Sequence, residues 1–392
     1  MAELLNVPGV RINEIRLDAP AIAGVSTSTP GFVGQAPKPG AFPNVARLVT
    51  SFDQFQKDYI AEPPDGVTIL PATTSTEFSH ALVGYFKNGG GPCYVVNAAP
   101  AGVVDGINLL AKHDDIQIIA APGSTSTAVY DALRTQAEDK RDRFAILDAP
   151  AKAGNIISDL TTAGSGKRPA DSMWTALYYP RIQVPPYLPS DPQPTPNNPN
   201  PIYIAPTGHI AGVYGTVDAL RGVHKAPANV ALLGALGVED ILVDGDQEVL
   251  NKEGVNAIRL YAAGPTIWGT RTLLTSSEET TFRYLNIRRL TTYIEQSLRV
   301  GLRFAIFEPN NLPLRQQISR SVRAFLDGVW RDGALFGASA DEAYYVRFPD
   351  AFNTDTDRAQ GKLTIEIGIR VSYPVEFIII RIGLLLHSAS AA

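Results

Sequence analysis

Between residues 105 and 275 the chain alternates short apolar runs of strand length with stretches whose apolar residues recur at helical spacing. The strand-like runs are 116–121, 144–147, 174–179 and 257–262. Strands that alternate with helices favour a mostly parallel sheet covered on both faces. We therefore predict an α/β domain here. A single core stops growing at roughly 250 to 300 residues, so a chain of 392 residues also needs a second unit.

Residues 180–201 interrupt this alternation with nine prolines. Proline lacks the amide donor that a sheet ladder needs, and its φ is fixed. The segment is therefore predicted to lie outside any sheet interior, as an extended surface loop inserted into the α/β domain.

Composition excludes several classes of protein. The chain has 34 basic and 39 acidic residues, so no global positive field attracts nucleic acid. Cys93 is the single cysteine, which rules out an intrachain disulfide and fits folding in a reducing compartment. The opening residues do not resemble a signal peptide, and we expect synthesis in the cytosol. The longest apolar run, 377–386, is broken by Arg381, so no membrane span is predicted.

Two short motifs resemble ligand-binding loops and lack the residues that the chemistry requires. The run 164–167 has the Gly-Lys of a phosphate loop, but the leading glycine is absent and Arg168 replaces the Mg²⁺-binding Ser or Thr. The run 353–357 has the 1-3-5 acidic spacing of a calcium loop, yet Arg358 and Thr364 replace its glycine and its glutamate. Both are predicted to be solvated turns, and no cofactor or metal is expected.

The histidines offer one alternative function. No two of them form a zinc motif; they are His80, His113, His209, His224 and His387. His209 lies in a protease-like fragment, 207–212, but the chain has no Gly-x-Ser-x-Gly elbow. Because triad members are distant along a chain, an α/β hydrolase that uses His209 stays open at this point.

The carboxyl third is predicted to contain two long helices and two strands. The helices are expected at 282–302 and from about residue 311, and the second carries Arg320, Arg323 and Arg331 opposite its apolar stripe. The strands are expected at 362–371 and 375–383.

The last of these strands requires a cover. Residues 377–382 combine strong β-propensity with one charge, and an open edge of this kind is a template for aggregation. The strand could lie centrally in the chain's own sheet, or neighbouring subunits could complete the sheet by β-augmentation. The isolated alternating stretch Val10–Arg16 is the natural donor strand.

Several ordered motifs carry a resemblance to a known family. They are PGVRINE at 8–14, RRLTTYIEQSLR at 288–299, FEPNN at 307–311, VWRDGALFG at 329–337 and GKLTIEIGIRVSYPVEFIIIRI at 361–382. With these motifs, the chain resembles the contractile tail sheath proteins of myophages, R-type bacteriocins and extracellular contractile injection systems.

The resemblance implies an α/β fold with five parts. Residues 1–21 would be a linking arm, and 22–104 would pack with the C-terminal domain. Residues 105–280 would form a subtilisin-like, non-catalytic α/β domain, and 281–374 an α+β domain facing the inner tube. Residues 375–392 would form the C-terminal strand and arm. The sheet of the α+β domain would be completed by strands from neighbouring subunits.

The same resemblance implies function and partners. Many copies would surround a tube helically and contract from a metastable extended state, driving the tube through a target membrane. Strand exchange would involve Val10, Ile12, Glu14, Arg16, Glu376, Phe377, Ile379 and Arg381. Arg320, Arg323 and Arg331 would face the tube.

Partners would be further copies of the chain, the tube protein, and baseplate and cap proteins, with no nucleic acid contact, membrane insertion, catalytic residue, cofactor or metal. The particle, assembled in the bacterial cytoplasm, would be a phage tail or an extracellular tail-like particle. The alternatives are a hydrolase, as above, or a monomeric binding module with a completed C-terminal sheet.

Overall fold

A computed structural model of the chain describes residues 21–60, 75–162, 164–188, 191, 201–275, 280–377 and 379. Five of the predicted exchange residues lie outside this range, namely Val10, Ile12, Glu14, Arg16 and Arg381. The strands in the described part are β1 Pro30–Gly34, β2 Ala46–Val49, β3 Cys93–Asn97, β4 Ile118–Ala120, β5 Phe144–Asp148, β6 Thr175–Tyr179, β7 Ile182–Val184, β8 Ile202–Ile204, β9 Val230–Ala231, β10 Gly237–Val238, β11 Val255–Tyr261, β12 Gly264–Ile267, β13 Tyr344–Arg347 and β14 Glu366–Ile369.

The helices are α1 Phe52–Tyr59, α2 Glu77–Lys87, α3 Val103–Leu110, α4 Thr127–Lys140, α5 Ile156–Thr161, α6 Thr207–Arg221, α7 Asp244–Lys252, α8 Leu285–Gly301, α9 Leu312–Arg331, α10 Ala340–Ala343 and α11 Asp355–Ala359. Within the described ranges, no helix combines the length and apolarity that a bilayer crossing requires.

The described residues form two compact units. The larger comprises residues 25–296, 332–334 and those from 371 onward; the smaller comprises the residues up to 24, 297–331 and 335–370. The part of the chain that the structure describes contains three sheets: a mixed sheet of nine strands, an antiparallel sheet of three strands and an antiparallel pair, β13 and β14. The fold is therefore mixed α/β.

The nine-stranded sheet is the centre of the larger unit. Its strand order is β2-β3-β1-β4-β5-β6-β11-β12-β9, and the six strands from β3 to β11 in this order run parallel. Consecutive residues of β1 serve opposite faces: Phe32 packs into one buried apolar cluster and Val33 into the other. Helices α1, α2 and α6 contribute to the first cluster, and α3, α4, α5 and α7 contribute to the second. The predicted helix-covered sheet is thus present.

Local sequence explains where the covering helices begin. Thr76 and Ser79 form a reciprocal capping box before α2, and the Ser126 hydroxyl accepts a hydrogen bond from Val129 N at the start of α4. Helix α6 packs closely on α2 because Gly208 and Gly212 bring its backbone against α2. A Cβ at Gly208 would lie only 2.1 Å from the carbonyl oxygen of Ala81.

Residues 22–104 contribute strands to the larger sheet, which the sequence pattern did not predict. Strands β1, β2 and β3 fall in this range and are built into the nine-stranded sheet, where β1 pairs with both β3 and β4. The reason is that β1, although it begins with Pro-Gly, is buried at every residue. A parallel strand buried on both faces lacks the alternation that marks a surface strand.

The proline-rich segment 180–201 also departs from the prediction of a loop outside any sheet interior. Its first residues form β7, the central strand of the three-stranded sheet, between β10 and β8. The ladder uses Ile182, Gln183 and Val184, which lie between the prolines at 180 and 185, so no proline has to donate. Leu188 is buried as well, and residues 189–190 and 192–200 lie outside the described part.

The smaller unit is built on helix α9, which begins at Leu312. The side chain of Asn311 caps it by accepting a hydrogen bond from Leu314 N at 3.0 Å. Its apolar stripe is buried, as the periodicity predicts. Strand β13 lies against this helix: the Tyr344 hydroxyl donates to Asp327 at 2.6 Å, and Tyr344 and Val346 are buried while Tyr345 and Arg347 are exposed.

Candidate assembly surfaces

The sheet of β13 and β14 has two strands and leaves several apolar side chains only partly covered. The strands pair antiparallel over four residues, Tyr344–Arg347 with Glu366–Ile369, and within the described part of the chain no third strand joins them. Ile367 and Ile369 in the second strand, and Leu363 and Ile365 just before it, fall at every second position and are only half-buried. Isolated two-stranded sheets are marginally stable. Both the open edges and the partly covered side chains leave this sheet able to accept further strands.

The C-terminal segment, defined here as residues 371–377 and 379, belongs to the larger unit; Val371 forms a single β-bridge, and the residues after it lie in no strand. Its exposure alternates: Tyr373, Val375, Phe377 and Ile379 are 55%, 78%, 71% and 83% exposed, respectively. The residues between them, Ser372, Pro374 and Glu376, are half-buried. A period of two is the geometry of a strand, so the segment presents one apolar face outward. Exposed aligned apolar side chains of this kind indicate an interaction surface.

Glu376 holds this segment against the larger unit. Its carboxylate accepts hydrogen bonds from Arg271 Nε at 3.0 Å and Nη2 at 2.6 Å, from Asn251 Nδ2 at 3.0 Å and from the Tyr284 hydroxyl at 3.0 Å. Burial acts to raise the pKa of Glu376, but the donors from Arg271, Asn251 and Tyr284 outweigh it and leave the pKa below its usual value. Earlier in the segment, Ser372 N and Oγ donate to the carbonyls of Ala334 and Gly333.

Of the strand expected at 375–383, only residues 375–377 and 379 are described. Residues 375–377 are unpaired, 379 is described without pairing, and the rest of the predicted strand lies outside the described residues. Among the predicted exchange residues, Phe377 and Ile379 are exposed, whereas Glu376 binds Arg271 of the larger unit. Sequence reasoning did not identify its partners Arg271, Asn251 and Tyr284, because they lie 92 to 125 positions away along the chain.

The predicted tube-facing arginines lie on the exposed side of helix α9. Arg320, Arg323 and Arg331 are all exposed. Arg323 also reaches strand β13, since its Nη2 lies 3.4 Å from the carbonyl oxygen of Val346. The helix therefore presents positive charge opposite the stripe that it buries in the smaller unit.

The hydrolase alternative is wrong, because His209 lies in the packing between α6 and α2. A Cβ on Gly84 would lie 2.0 Å from its Nδ1, and that nitrogen makes no hydrogen bond in the described structure. Burial, with help from Lys87 and His80, lowers the pKa of His209 to about 3. A general base needs a pKa near the working pH and a reachable proton, and His209 has neither.

The carboxyl end of the parallel strands, where α/β enzymes place ligands, is occupied by structural hydrogen bonds. Asp148, at the end of β5, accepts hydrogen bonds from Gly123 N at 3.1 Å and from the amide and hydroxyl of Thr207. Burial raises the pKa of Asp148 to about 7. These contacts cap the start of α6, so the Asp148 side chain has a structural role.

The two ligand-like motifs serve local structure. Lys167 donates to Asp159 at 2.6 Å, and Thr354 and Asp357 form the capping box of α11. Among the described residues, no cluster of three or more His, Cys, Asp or Glu side chains could hold a metal ion.

Comparisons with known proteins agree with this architecture. Residues 101–273 match the family described as phage tail sheath protein central domain, and residues 277–384 match the phage tail sheath C-terminal domain. Together these matches cover more than half of the chain. The tail sheath protein of Burkholderia phage BcepMu is 29% identical over 173 residues; this match covers 42% of the chain and 35% of that relative. The chain thus matches about a third of the length of this curated relative.

Solved sheath structures resemble nearly the whole chain. The anti-feeding prophage helical sheath in its contracted state is 30% identical, with a TM-score of 0.74, and the match covers 97% of this chain and 99% of that one. The contracted sheath complex of the PVC extracellular contractile injection system has a TM-score of 0.76 at 26% identity, covering 97% and 98%. The anti-feeding prophage baseplate structure gives 0.75 at 29%, covering 98% and 100%.

With a mixed α/β fold and both sheath domains matched, the chain belongs to the phage tail sheath family, whose members are structural subunits of contractile tails and injection systems and not enzymes.

Proposed function

We propose that the chain polymerises helically around an inner tube and that neighbouring copies complete its two-stranded sheet. The observation that carries this proposal is the alternation in the C-terminal segment. Val375, Phe377 and Ile379 are exposed on one apolar face, and among the described residues no strand pairs with 373–377. The half-buried isoleucines of β14 are the matching acceptor, because an added strand would supply both main-chain hydrogen bonds and apolar cover.

The N-terminal arm is the second proposed donor. Its exchange residues Val10, Ile12, Glu14 and Arg16 lie outside the described part, but the root of the arm is described. Ile22 is buried in the smaller unit, where a Cβ on Gly301 would meet its Cγ2 at 2.5 Å. The arm would therefore start from a fixed point beside the end of α8 and extend its alternating stretch to a neighbour.

The finer domain assignment is also a proposal. Residues 1–21 and 375–392 act as linking arms, 105–280 form the subtilisin-like α/β core, and 281–374 form the tube-facing domain. The proline-rich segment after β7 decorates the core. Support comes from the two family matches, which divide between residues 273 and 277.

The tube contact is assigned to the exposed face of α9, through Arg320, Arg323 and Arg331. Positive charge on an exposed helix face offers electrostatic complementarity, which favours correct registration between partners. The test uses whole particles produced in cells. Changing Arg320 and Arg323 to glutamate should reduce the fraction of sheaths that contain a tube under electron microscopy. The matched control is Arg299→Glu, also exposed and in the smaller unit. Equal tube content in both would remove α9 from the contact.

Helical assembly and contraction both follow from contacts in which different patches of neighbouring copies meet. One patch that binds a different patch of the next copy generates a helix, and two packings of the same rigid units give two helical states. If each copy releases about 2 kcal/mol on contraction, a small part of a domain's stability, many copies together can drive a tube through a membrane. Baseplate and cap proteins would bound the polymer, and assembly would take place in the bacterial cytoplasm.

Electron microscopy of the purified protein tests the proposal. The unaltered chain should form tubes or large sheath-like polymers, whereas truncation after Pro374 and deletion of residues 1–20 should each leave a discrete small species. Leu220→Lys is the matched control, since Leu220 is an exposed apolar residue of α6 outside both arms, and it should polymerise normally. Ordinary polymers from both truncated chains would contradict strand exchange.

A further inference from the structure

The site around Glu376 is more elaborate than a surface ion pair. Four donor groups from three residues converge on one carboxylate, at 2.6 to 3.0 Å. The side chains of Glu376 and Arg271 are only 16% and 14% exposed. Paired Nε and Nη2 donors of an arginine fix the orientation of a carboxylate as well as its position. The carboxylate plane, and with it the strand direction, is therefore held at this residue.

The residues that bind Glu376 are themselves fixed by the core. Arg271 Nη1 donates to the carbonyl of Asn251, at 2.8 Å. Its backbone is bracketed by Asn256, whose Oδ1 accepts from Arg271 N at 2.7 Å and whose Nδ2 donates to Arg271 O at 2.8 Å. Asn256 is fully buried in β11, and its Nδ2 also reaches the carbonyl of Leu177 in β6. The socket is thus preorganised by the nine-stranded sheet.

This arrangement has a consequence for the segment that carries it. Side chains of an extended chain alternate between two faces, so fixing one residue inward fixes every second residue outward. With Glu376 inward, the outward residues are Tyr373, Val375, Phe377 and Ile379. A slip by one position would place Val375 or Phe377 against the Arg271 guanidinium and leave that charge without its partner, which is costly for a buried ion.

We propose that Glu376 is the positioning residue that sets the register of the C-terminal arm, so that its apolar face and not its polar face is offered to the neighbouring copy. This rests on the proposed strand exchange between copies. Buried ionic groups are weak contributors to stability, and specifying register is their best-attested use. The lowered pKa of Glu376 fits a carboxylate kept ionised in its socket.

The first test determines which side chains of the C-terminal segment face solvent in the unassembled protein; we call this alternation of faces the phase of the arm. The single cysteine, Cys93, is buried, and burial raises the pKa of its thiol far above the usual range, so it should not react. An introduced cysteine is then the sole reactive thiol. Val375→Cys, on the exposed face, should react with a maleimide faster than Pro374→Cys, on the half-buried face, by roughly tenfold.

Adding Glu376→Ala to each cysteine variant should bring the two labelling rates within about twofold of each other, because the phase is no longer fixed. Should Glu376→Ala impair folding, the isosteric Glu376→Gln and the donor deletion Tyr284→Phe provide the same comparison. Each should reduce the ratio of the two labelling rates by less than Glu376→Ala does, and Tyr284→Phe should reduce it least. A retained tenfold difference in well-folded Glu376 variants would overturn the proposal, since a residue of merely structural importance would leave the phase unchanged.

The second test separates this inference from the proposed function. If the unaltered chain polymerises and truncation after Pro374 prevents it, strand exchange stands. Glu376→Ala should then raise the concentration needed for polymerisation by roughly tenfold, and charge exchange in the double variant Glu376→Arg with Arg271→Glu should restore part of it. Normal polymerisation by Glu376→Ala together with failure of the truncated chain would overturn the anchor alone. Normal polymers from the truncated chain would overturn the strand exchange on which it rests.

Discussion

The nine-stranded sheet and the two-stranded sheet of β13 and β14 differ in how completely their apolar side chains are covered. The larger sheet ends in β2 on one side and β9 on the other, and its central strands are buried on both faces by helices of the same chain. The smaller sheet has one face on α9, while Leu363 and the isoleucines of β14 are only half-buried. The larger sheet is thus covered within its own chain, whereas β14 keeps half-buried apolar residues, as we expect if neighbouring copies complete the smaller sheet.

Removing a central aromatic ring from the complete sheet should give the largest loss of stability. Phe32 of β1 is fully buried and packs edge-on to Tyr85, with ring centroids 5.1 Å apart. Phe32→Ala should lower the free energy of unfolding by about 3–5 kcal/mol, measured by urea denaturation. A loss below about 1 kcal/mol would show that the core around β1 can collapse into the space, and the contrast between the two sheets would weaken.

Removing one partner of the buried ion pair between Asp218 and Arg289 tests how tightly the larger unit is packed. Both side chains are almost fully buried, at 4% and 3% exposure. Asp218→Ala should cost about 3 kcal/mol, because it leaves a buried guanidinium whose remaining support includes the ring of Tyr214, 4.6 Å away.

The matched control for this pair is Asp114→Ala, whose partner is Lys140 and whose side chain is 87% exposed. It should change the free energy of unfolding by at most about 0.5 kcal/mol. Equal effects of the two substitutions would contradict a tightly closed larger unit.

Acid should weaken the α2 and α6 packing through His209. The pKa of this histidine is lowered from 6.5 to about 3, so above pH 6.5 its neutral form costs nothing. As the pH falls from 6.5 towards 3, the unfolded chain gains a proton that the folded chain refuses, and stability is lost. Between about pH 7.5 and pH 5, the wild type should lose about 2 kcal/mol more than His209→Leu in urea titrations. If the free energies of unfolding of the wild type and of His209→Leu changed with pH in the same way, burial of His209 would not oppose its protonation, which would contradict this prediction.

The unfinished sheet should show the smallest effect on folding and a large effect on assembly. Ile367→Thr in β14 should lower the free energy of unfolding of the unassembled protein by about 1 kcal/mol or less, since the side chain is only half-buried. It should raise the concentration needed for polymerisation by roughly tenfold. Ile241→Thr, at an exposed isoleucine of the larger unit, should change neither quantity. Loss of stability without loss of assembly would assign β14 to the chain's own core.

The sequence predicted those elements whose apolar residues repeat with a clear period. Helix α9 was expected from about residue 311 and begins at Leu312, and the strands predicted near 144 and 175 are β5 and β6. Strand β7 was missed because prolines on either side of Ile182–Val184 outweighed three residues of β-propensity. Strand β1 was missed because its Pro-Gly start reads as a turn, while its burial depends on strands 60 to 90 positions away.

The candidate surfaces were predictable only in part. The need to cover residues 377–382 follows from local composition, and so does the exposure of Arg320 on α9. The inward orientation of Glu376 does not, because a glutamate between Val375 and Phe377 resembles an ordinary solvent-facing residue of a strand. Its role depends on Arg271, Asn251 and Tyr284, which only the folded chain brings together.

Amide hydrogen exchange tests most directly whether neighbouring copies finish the two-stranded sheet. The measurement compares residues 344–347, 366–369 and 371–379 in the unassembled protein and in its polymer, with the nine-stranded sheet as internal reference. We predict strong new protection in β14 and in the C-terminal segment on assembly, and little change in strands β4, β5 and β6. Unchanged exchange in β14 and in the C-terminal segment of a well-formed polymer would contradict the account.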